Sequence, residues 1–174
     1  HDFNVFVMST RSQRVFSEFM KVYTLEREQT IPVSIEQAWD FFSSPKNLSV
    51  ITPPEMQFKI LTDLTGAPIY TGMKIDYIVR PLFGIPMKWR TVISGVDSPR
   101  MFIDFQEKGP YSLWEHTHTF EAVPGGVLMK DIVRYALPLG VLGGIMHGLV
   151  VKKKLNDIFN FRTAKLKELF GDAK

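Results

Sequence analysis

His116-Thr117-His118 lies in a run, 113–121, where Glu115, Thr117, Thr119 and Glu121 share one parity and Trp114, His116, His118 and Phe120 the other. Successive side chains of a β-strand point to opposite faces, so the polar parity faces water and both imidazoles face inward. The run 127–137 divides the same way, with Lys130 and Arg134 on the wet parity and Val127, Met129, Asp131, Val133 and Tyr135 on the dry one. Between them, Pro124-Gly125-Gly126 reads as a hairpin turn. A register that keeps both dry sets on one face puts His118 opposite Asp131, or opposite Val133 with Asp131 and Tyr135 diagonal to it. Either register gathers His116, His118, Asp131 and Tyr135 into one inward polar cluster.

A carboxylate beside an imidazole orients the ring and raises its pKa. His118, Asp131 and Tyr135 are therefore candidate catalytic groups, with His118 moving a proton, Asp131 orienting it and Tyr135 polarising a carbonyl. The plainer expectations are a satisfied polar network that spaces the sheet from a helix, or hydrogen bonding to a ligand with one polar end. The i, i+2 spacing of the histidines also suits zinc or iron with Asp131 as third ligand. Nothing else in the sequence supports such a centre, so no metal and no cofactor is expected.

On earlier runs, Tyr77 shares inward parity with Ile75 and Val79, and Trp89 and Thr91 share it with Ile93. Tyr77, Trp89, Thr91, Trp114, Phe120 and Met129 are thus candidate walls of a ligand cavity whose polar end is His116, His118, Asp131 and Tyr135. The run 101–106 has apolar residues on both parities and leaves Asp104 and Gln106 unplaced. Arg162 falls on or beside the apolar stripe of the last helix, where an unpaired charge is costly, and a salt bridge at the rim is expected.

The elements that position these groups follow from pattern. Residues 22–31 alternate as a half-wet strand. Ser34 precedes Gln37 by three, a capping box, and Ile35, Ala38, Trp39 and Phe42 make one face of a short helix ending near Pro45. A second helical or turn segment, 47–54, closes at Pro53-Pro54. Strands are then expected at 56–61, 73–80, 87–96, 101–106, 113–123 and 127–137, with turn residues between them. A helix over 141–170 ends the chain, with Leu155, Ile158, Phe159, Leu166 and Leu169 as its apolar stripe. Such a sheet needs that helix to cover one face.

A chain of 174 residues with 45% hydrophobic and 22% charged content carries one core and is neither disordered nor a multi-span membrane protein. Residues 1–19 show no sustained period and read as an extension of unknown role, with a helix considered for 11–19; residues 20–174 read as one domain. The absence of cysteine removes thiolate catalysis and Cys-type metal sites. A net charge of +3 from thinly spread basic residues gives no nucleic-acid footprint. The longest apolar stretch, 136–151, is broken by Pro138, four glycines and His147 and falls short of the ~20 residues a membrane helix needs. HDFNVFV is too short for the apolar core of a signal peptide, and a cytoplasmic protein without stable membrane insertion is expected.

This order of elements, with GPYSLWEHTHTF, a PGG turn, MKDIVRYALPLG and LNDIFNFR, resembles the START / birch-pollen-allergen-like (SRPBCC) superfamily over about residues 20–170. More narrowly, it resembles the bacterial polyketide cyclase/dehydrase-like, ligand-binding branch. The resemblance implies an α+β helix-grip fold, a curved seven-stranded antiparallel sheet wrapped around a long C-terminal helix with two short helices after strand 1. It also implies a cavity between sheet and helix, while carrying no invariant catalytic motif. The expected function is binding, transport or sensing of a small hydrophobic molecule such as a lipid, isoprenoid, quinone or polyketide, by a monomer or weak dimer. The alternative is a cyclase, aromatase or dehydratase using His118, Asp131 and Tyr135. An RNA- or ribosome-associated module would need a basic or apolar patch on the outer sheet face.

Overall fold

In the computed structural model, which describes residues 21–64, 66, 68–81, 83–138, 144–145 and 147–173, the alternating runs form strands. They are β1 (Tyr23–Ile31), β2 (Lys59–Ile60), β3 (Lys74–Val79), β4 (Met87–Asp97), β5 (Met101–Lys108), β6 (Leu113–Val123) and β7 (Gly126–Ala136). All pair antiparallel in one seven-stranded sheet of order β1-β7-β6-β5-β4-β3-β2, so the first strand closes beside the last. The extension 1–19 and its considered helix lie outside the described residues.

Helices α1 (Ile35–Phe42) and α2 (Pro45–Leu48) follow β1. The Ser34–Gln37 capping box forms in both directions and starts α1 with two otherwise orphaned N–H groups satisfied. Ala38 and Trp39 are its buried face. The second helical segment differs from expectation at both ends. Pro45 opens α2, because a proline fits the first turn of a helix, and Pro54 starts a 3₁₀ turn (Pro54–Met56) instead of closing a helix. That turn and the left-handed Gln57 (φ 45°) consume most of the expected strand 56–61, leaving two residues in β2.

The β6–β7 hairpin turns at Pro124-Gly125, with Gly125 at φ 88°, in the left-handed region that glycine adopts without steric cost. Gly126 is needed for space: a Cβ there would sit 2.1 Å from the carbonyl oxygen of Ile31 on the neighbouring β1. The resulting register sets His118 opposite Asp131, the first of the two alternatives.

Helix α3 (Lys152–Phe170) crosses the concave face, entered through a π-helical turn (His147–Val151); the expected start at 141–143 lies outside the described residues. Its buried stripe is Leu155, Phe159, Arg162 and Leu166, recurring every three or four residues. Two expectations are corrected here. Leu169 is 42% exposed, and Arg162, expected at the rim, is 6% exposed in the middle of the stripe. A guanidinium can lie there because an acidic partner and two aromatic rings meet it, as the site below makes plain. Among the described residues no helix is long and apolar enough to cross a membrane.

Candidate functional site: a mostly apolar cavity under the last helix

Every inward parity read from the sequence on β3, β4, β6 and β7 is buried: Ile75, Tyr77 and Val79; Trp89, Thr91 and Ile93; His116, His118 and Phe120; and Val127 to Tyr135 by alternate residues. Trp114 is half-buried on the same face. Between that face and α3 lies a cavity of about 190 Å³. Leu48 and Thr52 from the α2 region and Lys154 from α3 line it near the surface. Lys154 Nζ lies 3.5 Å from Glu55 Oε1, which ties the start of α3 to the 3₁₀ turn.

Six of the ten expected binding residues line this space: Tyr77, Trp89, Thr91, Trp114, His116 and His118. The other four are not in its wall. Phe120 packs against Phe42 and Trp39 of α1, with ring centroids 5.3 and 6.1 Å away, so α1 fills that end of the sheet. Met129 is paired with Phe120 and its Sδ lies 3.7 Å from an Arg162 nitrogen. Asp131 sits behind the imidazoles, 1% exposed. Tyr135 does not join the cluster at all: its hydroxyl hydrogen-bonds His147 Nε2 at 2.8 Å, at the entry to α3.

Of the two residues that the sequence left unplaced, Asp104 completes the site, whereas the Gln106 amide bonds the backbone of Tyr111. Asp104 pairs with His116 and its neighbour Phe102 with His118 across β5–β6, so Asp104 faces inward with Phe102 and Gln106. The β4–β5 ladder carries register shifts near Arg90/Thr91 and Ile93/Gly95. Pairing β5 with the clean alternation of β6, instead of reading β5 alone, was the signal that placed Asp104.

The cluster is two imidazoles held between two carboxylates. His116 Nε2 donates to Asp131 Oδ1 at 2.9 Å, and His118 Nε2 bonds Asp104 Oδ2 at 2.9 Å. His118 Nδ1 lies 3.0 Å from the same Asp131 Oδ1 but out of hydrogen-bond alignment, a charge contact instead of a directed bond. Arg162 reaches Asp131 Oδ1 at 3.0 Å, its guanidinium carbon 5.3 Å from the Phe42 ring centre and 5.9 Å from that of Phe159. The ring centres of His116 and His118 are 3.7 Å apart.

Burial works to raise the Asp131 carboxyl, but Arg162 and the two histidines outweigh it and hold it well below the ordinary carboxylate range. Asp104 is lowered too, because the His118 bond and the neighbouring positive groups overcome its burial. Burial and the adjacent His118 lower His116, whereas the contacts of His118 with Asp104 and Asp131 overcome burial and raise it. The acid–base reading needed His118 with one nitrogen open to the cavity; here both of its nitrogens face carboxylates. His116 Nδ1, 3.7 Å from Asp104 Oδ2, makes no hydrogen bond among the described residues.

Elsewhere in the wall, Tyr77 and Thr91 share a 2.7 Å hydroxyl hydrogen bond. Trp89 Nε1 is buried without a partner among the described residues.

No family model matches the chain, and no curated protein matches its sequence. Solved structures do match its fold. Protein CV1439 from Chromobacterium violaceum gives a TM-score of 0.62 at 14% identity, covering 85% of this chain and 97% of that one. Ginseng major latex-like protein 151 from Panax ginseng gives 0.62 at 12% identity, covering 86% and 97%. Ara h 8.0201 gives 0.56 at 18% identity, covering 85% and 99%. The chain therefore has the helix-grip fold of the birch-pollen-allergen-like proteins.

Proposed function

We propose that the protein binds a small, mostly apolar molecule that carries an oxygen-bearing polar end, as a carrier or sensor. The observation that carries this reading is the cavity itself, about 190 Å³, apolar over most of its wall and polar where Asp104, His116 and His118 enter it. The fold commonly holds hydrophobic ligands. Volume narrows the class. An apolar protein cavity of ~150 Å³ takes up benzene, so one of this size suits a ring system of one or two rings and is too small to enclose a long acyl chain. Within the expected range of ligands, a quinone or polyketide-like ring fits better than a lipid tail. Any tail would leave past Leu48 and Lys154.

Native mass spectrometry of gently purified protein, followed by solvent extraction, tests this directly. Retention of a compact oxygenated ring compound is expected, as is displacement of a fluorescent apolar probe by it. His116→Phe, which keeps the ring's bulk and removes a polar group of the cavity wall, should weaken that binding about tenfold in protein that remains folded, the worth of one hydrogen bond. Absence of any retained molecule, with no probe uptake, would remove the reading.

A further inference from the structure

We propose that Asp104, His116 and His118 form a mononuclear site for a divalent transition metal, zinc or iron(II), in the wall of the cavity. This goes beyond the ligand-binding reading and does not depend on it. It also revises two expectations from the sequence, that no metal is bound and that Asp131 would be the third ligand.

The argument begins with which nitrogen faces which carboxylate. Asp104 Oδ2 lies 2.9 Å from His118 Nε2 and 3.7 Å from His116 Nδ1. One donor atom from each of Asp104, His116 and His118 lies within 4.8 Å of the others. Metal–nitrogen and metal–oxygen bonds of about 2.1 Å put neighbouring donors roughly 3.0 to 3.4 Å apart, and the two measured separations bracket that spacing. At 3.7 Å a nitrogen and an oxygen are too far apart to hydrogen-bond and too close to admit a bridging water. In the neutral ring that donates through Nε2 to Asp131, Nδ1 turns its lone pair toward Asp104. A divalent cation would replace the proton shared by His118 Nε2 and Asp104 Oδ2, releasing it to solvent, and take His116 Nδ1 as a further donor.

The remaining nitrogens support the same assignment. His116 Nε2 and His118 Nδ1 both face Asp131 Oδ1, at 2.9 and 3.0 Å. Metal-bound histidines are regularly oriented this way, by a carboxylate on the ring nitrogen that does not bind the metal. Asp131 is itself fixed by Arg162 at 3.0 Å. Two imidazoles and one carboxylate select zinc or iron(II) over calcium or magnesium, which prefer oxygen throughout. Asp104, His116 and His118 line the cavity and Asp131 does not, so the metal's free positions face the ligand space. A divalent ion beside two carboxylates and one guanidinium leaves one positive charge, which an anionic oxygen at a free position would neutralise.

The test is cobalt(II) and zinc(II) titration of the full chain after chelator treatment. One equivalent of cobalt should bind and give the visible d–d absorption of a four- or five-coordinate site, displaced by zinc. Asp104→Asn and His116→Gln should each weaken binding at least about tenfold, and His147→Gln, outside the cluster, should leave it unchanged. X-ray absorption of the zinc-loaded wild-type protein should show two imidazoles per metal, which requires no variant to fold. No cobalt spectrum, or a spectrum insensitive to Asp104→Asn in a folded protein, or fewer than two imidazoles per zinc overturns the proposal. Uptake of the apolar probe is measured on the chelated protein, so a negative result for the metal leaves ligand binding separately decided.

Discussion

The two faces of the same strands use the same charged residue types to opposite effect. On the outer face, Arg90 holds Asp76 at 2.7 Å and approaches Glu107, which also meets Lys74; Lys130 meets Glu28, and Arg134 meets Glu115. These pairs are partly solvated and of mixed sign, giving the outer face a ladder of opposite charges instead of a basic patch. On the inner face, Asp131, His116, His118 and Arg162 sit among aromatic rings, out of water, with Asp104 only partly exposed beside them. Water screens the first set and supplies substitutes for any lost partner; nothing substitutes in the second. Breaking an inner contact therefore leaves a stranded charge, whereas breaking an outer one leaves a hydrated side chain.

The largest effect should come from removing the anchor. Asp131→Ala leaves Arg162 buried without its carboxylate, and loss of about 3–5 kcal/mol is expected in urea unfolding. Asp131→Leu combined with Arg162→Met removes both charges and should recover most of that loss. Equal damage from the single and the double variant would mean that packing, not charge, is at stake, and the contrast between the faces would fail.

Acid should expose the same asymmetry in the chelated protein. The Asp131 and Asp104 carboxyls are held below their ordinary value, so the stability they contribute is present above about pH 4 and is lost as pH falls below it. The histidines oppose each other. His118 is raised, so its contribution is complete below about pH 6.5 and declines as pH rises through its higher folded value. His116 is lowered, so its contribution is present above about pH 6.5 and declines as pH falls toward its lower folded value. The urea midpoint should therefore peak near about pH 6.5, decline on the alkaline side through His118, and drop more steeply in acid, where His116 and both carboxyls lose their contributions together. A neutral-range change as large as the acid one would contradict this balance.

A neutral pair in the dry wall should fall between the extremes. Tyr77→Phe deprives the buried Thr91 hydroxyl of its 2.7 Å partner. A cost of about 1–2 kcal/mol is expected. Adding Thr91→Val should return part of it, since no unsatisfied hydroxyl then remains.

The contrast also explains what the sequence made legible. Strands with one wet and one dry face announce themselves by alternation, so β6, β7 and the inward placement of His116, His118 and Asp131 could be read directly. β5 could not: Met101, Ile103 and Phe105 put apolar groups on its outward parity, and Phe105 is 36% exposed, so Asp104 had no face until its pairing with β6 was known. Arg162 was misplaced because a stripe is read by hydrophobicity, and a guanidinium whose counter-charge comes from a strand 31 residues earlier, at Asp131, has no local signature. Tyr135 shared the right parity but sits four residues along β7 from Asp131, and the π-helical turn brought His147 to it. Parity tells which face a side chain takes; it does not tell which neighbour it meets there.

The smallest effect should come from the outer face, and it is the sharpest control on the comparison. Arg90 makes two hydrogen bonds to Asp76, at 2.7 and 2.8 Å, better geometry than any histidine contact inside. If geometry alone set the worth of an ion pair, Arg90→Gln would rank with Asp131→Ala. Solvation predicts otherwise: both side chains are about a third or more exposed, 32% and 40%, so each regains water when the other is lost. The urea midpoint of Arg90→Gln should match that of the parent at about physiological salt, where charges more than ~8 Å apart are screened. It should differ only slightly at low ionic strength. A loss comparable to Tyr77→Phe would show that the outer ladder acts as a connected network through Glu107 and Lys74, and the two faces would then differ in degree instead of kind.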